Sequence, residues 1–146
     1  MFCDCSSLTE APELPATTLT SQCYQYMFYG CSSLVHAPAL PAKSVTESCY
    51  RYMFYECTSL VDVPDLPSIS MANYCYQYMF YGCTSLVDGP TIFGMINYST
   101  APCQHMFENC TSLYQSLSLK YQYIIDCYQS RVRNKLLIFL QVVNDH

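Results

Sequence analysis

The tetrapeptide Cys-(Ser/Thr)-Ser-Leu begins at Cys5, Cys31, Cys57, Cys83 and Cys110, at spacings of 26, 26, 26 and 27 residues. Met-Phe recurs in the same register at 27–28, 53–54, 79–80 and 106–107, leucine at 8, 34, 60, 86 and 113, and proline at 12, 38, 64 and 90. Self-similarity at a fixed period of this length is the signature of a chain that stacks copies of one small unit. A single unit has too little apolar surface to fold alone. Burying a Leu, Met or Phe contributes roughly 1.5–3 kcal/mol, whereas ordering each residue costs roughly 1–2 kcal/mol. Stability must therefore come from contacts between neighbouring units.

Within one unit, Leu8, Ala11 and Leu14 are three residues apart with Pro12 and Pro15 interleaved, which excludes a helix and predicts a short extended arm. Thr18, with Ser44 and Ser70 at the same position in later units, offers a hydroxyl suited to capping a helix start. Leu19, Cys23 and Met27 then form one apolar stripe at i, i+4 and i+8, with Tyr24 and Phe28 beside it, and predict a short helical arm. Gly30 and Gly82 are placed to close it in a left-handed cap, where Glu56 and Asn109 stand in the other units. The fold class expected is an α/β repeat solenoid, one short strand and one short helix per turn. It covers residues 1–113 in about four turns, followed by a non-repeat segment at 114–146. That last segment carries four of the six Lys and Arg residues. Its apolar stretches Ile124-Ile125 and Leu136 to Val143 suit either a helical cover for the last turn or an unrelated tail.

Met1-Phe2-Cys3-Asp4-Cys5 matches the segment before every later unit, so the chain starts inside a repeat. No signal peptide is expected, and a fragment or internal start is. The run from Leu136 to Val143 is too short for a membrane-spanning helix. With a net charge of −5 and six basic residues, there is no basic stripe to neutralise phosphates, and nucleic-acid binding is not expected.

The eleven cysteines fall mostly in two files: Cys5, Cys31, Cys57, Cys83 and Cys110, and Cys23, Cys49 and Cys75. An inward ladder of apolar thiols is the plainest reading. Disulfides between rungs and a metal site are the alternatives, though the spacings are not the close pairs zinc uses. No cofactor is expected. No Ser-His-Asp or Cys-His constellation attends the three histidines, and four glycines form no phosphate loop, so an enzyme is not expected.

Two surfaces are candidates for binding. Glu10, His36, Asp62 and Asp88 share one position on the strand side, and Glu13, Ala39, Asp65 and Thr91 another. Stacked carboxylates of this kind attract a cation or a basic ligand, or simply keep the face soluble. Tyrosines recur in three files, Tyr24/Tyr50/Tyr76, Tyr26/Tyr52/Tyr78 and Tyr29/Tyr55/Tyr81. At least one file should reach solvent as an amphipathic strip, and Tyr24, Tyr50 and Tyr76 are the candidates taken forward.

Met27-Phe28-Tyr29-Gly30-Cys31-Ser32-Ser33-Leu34, with its copies at Met53 to Leu60 and Met79 to Leu86, resembles the BspA-like leucine-rich repeats of bacterial surface proteins. Phe-x-x-Cys-x-x-Leu marks each turn there. The resemblance implies a right-handed solenoid, a cell-surface or secreted setting often in host-associated bacteria, and adhesion to a protein or glycan ligand. A spacer repeat or a truncated piece of a longer surface protein is the alternative function.

Overall fold

A computed structural model describes residues 1–93, 101–113 and 115. The expected tail structure at 114–146 otherwise lies outside the described residues. Successive 26-residue units lie one over the next, joined along one arm by a regular set of backbone hydrogen bonds. The N–H groups of Gln22, Tyr24, Tyr26, Phe28 and Gly30 donate to the carbonyls of Glu47, Cys49, Arg51, Met53 and Tyr55 at 2.8–3.2 Å. Ser48, Tyr50, Tyr52, Phe54 and Glu56 repeat the pattern onto the third coil at 2.7–3.1 Å, and Tyr76, Tyr78, Phe80 and Gly82 onto the fourth at 2.8–3.0 Å.

The arm predicted to be helical is not a helix. Alternate amides are used between coils, while the intervening ones, on Cys23, Gln25, Met27, Tyr29 and Cys31, donate three residues back within their own coil at 3.1–3.3 Å. The segments 21–30, 47–56 and 73–82 are thus chains of overlapping turns. Every fourth residue is left-handed: Gln22, Tyr26 and Gly30, then Ser48, Tyr52 and Glu56, then Tyr74, Tyr78 and Gly82. Each supplies the positive φ that the third position of a type II turn demands. A helix would spend all its amides within the arm; this spiral reserves half for the next coil. The apolar spacing misleads because i, i+4, i+8 fits both, and over ten residues a strict period of four barely departs from 3.6.

The spiral points two residues in and two out. In the second coil Cys49, Tyr50, Met53 and Phe54 are buried, while Arg51, Tyr52 and Tyr55 are half-buried and Glu56 is exposed. Inward residues form continuous files. Phe2, Phe28, Phe54, Phe80 and Phe107 stack ring on ring with centroids 5.4–5.7 Å apart. Leu34, Leu60, Leu86 and Leu113 make a second buried file, Met53, Met79 and Met106 a third, and Leu14, Leu40, Leu66 and Ile92 a fourth.

The extended arm contributes little regular sheet. It contains isolated parallel bridges, Glu10 to His36, His36 to Asp62 and Leu66 to Ile92, in place of the expected strand per turn. The prolines at 12, 15, 38, 41, 64 and 67 have no N–H to give a ladder. The extra residue of the fourth unit is taken up between Ile92 and Ala101, since Leu66 still bridges Ile92 while Tyr76 pairs with Pro102, 26 residues on rather than 25. Cys103 then occupies the place of Tyr76 and is buried there.

At the last position of the spiral, side chains and glycines alternate: Asp4 lies over Gly30, and Glu56 over Gly82. A Cβ on Gly82 would stand 3.1 Å from Glu56 Cγ, on a residue with φ of 71°. Gly82→Ala is therefore expected to destabilise the fold by about 1–2 kcal/mol in urea titrations, and Gly82→Asn by less, since Asn109 holds the same position with φ of 65°.

Candidate binding surfaces

The thiols come first, because cysteine is the residue type here best able to do chemistry. The ten described cysteines are free. Cys31, Cys57, Cys83 and Cys110 donate their S–H to the carbonyls of Phe2, Phe28, Phe54 and Phe80 at 2.9–3.1 Å. Each of those carbonyls also accepts the amide of the cysteine three residues on in its own coil. The thiol thus occupies the second lone pair of a carbonyl that has no water to use it. Burial drives these sulfurs away from ionisation: Cys49 is pushed up to about 11, Cys75 and Cys110 to about 12, and Cys57, Cys83 and Cys103 are raised as well. Nucleophilic attack and metal ligation both need the thiolate. Among the described residues no group of three His, Cys, Asp or Glu side chains is arranged to hold a metal ion.

On the strand side, Glu10, Glu13, His36, Asp62, Asp65 and Asp88 are all exposed, but they do not converge. His36 Nδ1 meets Asp62 Oδ2 at 2.8 Å with both side chains largely in water, a pair of small energetic weight. The Asp65 carboxylate accepts the Thr91 amide at 3.2 Å and replaces a missing bridge. Glu13 borders a shallow groove of about 340 Å³ between the first two coils, whose walls are mostly Leu14, Pro15, Pro38 and Pro41. This face is a row of separately solvated groups.

The tyrosine files divide differently from the sequence expectation. Tyr50 and Tyr76 are each 1% exposed, and Tyr24 is half-buried. The file taken forward as a binding strip is thus part of the core, because it occupies the second inward position of the spiral. Its rings stack 5.7–5.8 Å apart, and burial raises the ionisation of Tyr50 and Tyr76 far above the ordinary range.

The two outward files form the surface instead. Tyr26, Tyr52 and Tyr78 stack at 4.9 Å with planes within 5°, and His105 extends the file at 4.7 Å from Tyr78. Tyr29, Tyr55 and Tyr81 stack at 4.8 and 4.6 Å with planes within 3°. Across the files, Tyr26–Tyr29, Tyr52–Tyr55 and Tyr78–Tyr81 meet tilted by 56–58° at 5.7–5.9 Å. All six are half-buried. Tyr26, Tyr52 and Tyr78 also have φ of 57–58°, a conformation that costs a non-glycine residue of order 1–3 kcal/mol. Stacking at about 0.5–1.5 kcal/mol per pair offsets part of that cost. Arg51 lies over the edge of this array, its guanidinium 4.9 Å from the Tyr52 ring centroid, and Asn109 donates to the Tyr81 hydroxyl at 2.7 Å. Burial, then the Glu56 carboxylate, pushes Tyr55 up to about 12, and the same two causes raise Tyr29. These phenols are therefore neutral hydrogen-bonding groups at physiological pH.

No family model matches the chain, and neither a curated protein nor a solved structure matches it. Among the described residues, no helix is long and apolar enough to cross a membrane.

Proposed function

We propose that the chain is a non-enzymatic binding module of the BspA-like leucine-rich-repeat kind, at a cell surface or secreted, which meets a protein partner along the two outward tyrosine files. The observation that carries the reading is six half-exposed tyrosines held in two straight rows by a frame whose inward positions barely vary. Tyrosine gives large contact area and a hydrogen-bonding tip at low entropic cost, which is why it is enriched in recognition surfaces.

A protein fits better than a glycan. A ligand that binds by lying on an aromatic face, whether a sugar ring or a cation, needs that face open. Along both files each ring face is covered by the next ring. Ring edges and hydroxyls are left, and those suit the backbone and polar side chains of a polypeptide.

The same stacking favours a second reading, in which the files stiffen a spacer within a longer surface protein and bind nothing themselves. An array of purified matrix proteins, host glycoproteins and glycans separates the two. Binding to a protein, with a loss of on the order of 30-fold or more for Tyr55→Ala and a few-fold for Tyr55→Phe, which keeps the ring and removes one hydrogen bond, is the expected result. Silence across the array, or binding indifferent to both substitutions, returns the function to the spacer.

A further inference from the structure

The outward tyrosines are also placed to react with one another. Phenols are among the most readily oxidised side chains, and two phenoxyl radicals join when an ortho carbon of one ring meets an ortho carbon of the other. In solution that encounter needs two chains. Here Tyr55 and Tyr81 have centroids 4.6 Å apart with planes 1° from parallel, and Tyr29 and Tyr55 4.8 Å at 3°. Their ortho carbons are in van der Waals reach without any movement of the coils. The Tyr26/Tyr52/Tyr78 file is almost as close, at 4.9 Å.

We propose that the two outward files are sites of oxidative coil-to-coil cross-linking, in which a one-electron oxidant of the haem-peroxidase class with hydrogen peroxide joins neighbouring tyrosines of one file as dityrosine. Each phenol gives up one electron and its hydroxyl proton. The two radicals form a carbon–carbon bond between ortho positions, and each ortho hydrogen then moves to the phenolic oxygen to restore the aromatic ring. The pair loses two hydrogen atoms in all, and one hydrogen peroxide becomes two water molecules.

The arrangement favours this outcome over the competing ones. Adjacent radicals in one file are held at contact distance, so intramolecular joining outruns encounter between molecules. Tyr50 and Tyr76, at 1% exposure and 5.7 Å apart, are shielded from the oxidant and serve as an internal control. Buried thiols are protonated and out of reach, and the exposed Cys3, Cys5 and Cys23 can be alkylated beforehand. The product would fasten coils together covalently on the face opposite no existing covalent link, since the described cysteines form no disulfides.

The experiment treats the alkylated full chain, dilute and folded, with horseradish-type peroxidase and a small excess of hydrogen peroxide, then reads intact mass, dityrosine fluorescence and cross-linked peptides. Expected are monomers lighter by two hydrogen atoms per link, with links at Tyr29–Tyr55, Tyr55–Tyr81, Tyr26–Tyr52 or Tyr52–Tyr78 and none at Tyr50–Tyr76. Tyr55→Phe, which keeps the stack, should abolish both links of its own file and leave those of the other. Denatured chain should lose the site preference. Monomers of unchanged mass, links that form chiefly between molecules, or the same link pattern in denaturant would each overturn the proposal.

Discussion

Phe54→Ala should cost about 3–5 kcal/mol of unfolding free energy, enough to unfold a chain of ordinary stability. Phe54 is fully buried and lies between Phe28 and Phe80 at 5.4 and 5.5 Å. Truncation opens a cavity at the middle of the central file and removes two ring contacts at once. Because each coil touches only its neighbours, the damage falls on both interfaces of the second coil. Unfolding should therefore lose cooperativity as well as midpoint. Phe93 is the matched control: it stands where the other units have proline and is 54% exposed, so Phe93→Ala should change stability by no more than about 0.5 kcal/mol. Urea titrations followed by circular dichroism read both.

Raising the pH should unfold the protein sharply just above the ordinary thiol range. Cys49, Cys57, Cys75, Cys83, Cys103 and Cys110 all ionise above 9.0 in the folded state because they are buried. An unfolded chain releases these protons near 9 while the folded chain keeps them. Above that pH the unfolded state binds fewer protons, and stability falls as pH rises. The stabilisation is complete below 9 and is lost on the way to the folded-state values. Each group contributes a slope of about 1.4 kcal/mol per pH unit. Six such groups together remove on the order of 8 kcal/mol by one unit above 9, a typical domain's whole stability. Tyr50 and Tyr76 add to the slope once the ordinary tyrosine value of 10.0 is passed. In the presence of reductant, thiolate absorbance and loss of ellipticity should rise together. Thiols that titrate near 9 while the ellipticity holds would show that they are not buried.

The sequence carried the register of this fold more fully than its local conformation. Cysteine, leucine and Met-Phe recurring 26 residues apart place Phe28 and Phe54, or Leu34 and Leu60, on one line whatever the backbone does between them. The conformation of the arm was hidden because Leu19, Cys23 and Met27 satisfy a helix and a four-residue spiral equally. The signal that separates them is the absence of apolar partners at i+3 and i+7, together with aromatic residues at positions such as Tyr26 and Tyr52 that the spiral makes left-handed. That mistake carried over to the surface. On a helix Tyr24 sits beside the stripe and can reach solvent, whereas a two-in, two-out spiral puts Tyr50 and Tyr76 inside and turns Tyr52, Tyr55, Tyr78 and Tyr81 outward. The strand face was legible as exposed, but not as dispersed, because the use of Asp65 on the Thr91 amide depends on how coils meet at prolines.

Nuclear Overhauser contacts between aromatic rings test the stack most directly. Phe28 should show ring-proton contacts to Phe54, and Phe54 to Phe80, with the Tyr52 amide near the backbone of Gln77 and no contact between Phe28 and Phe80. Absence of the Phe28–Phe54 and Phe54–Phe80 contacts, with helical amide-to-amide contacts running unbroken through residues 47–56, would contradict coils that pair through alternate amides.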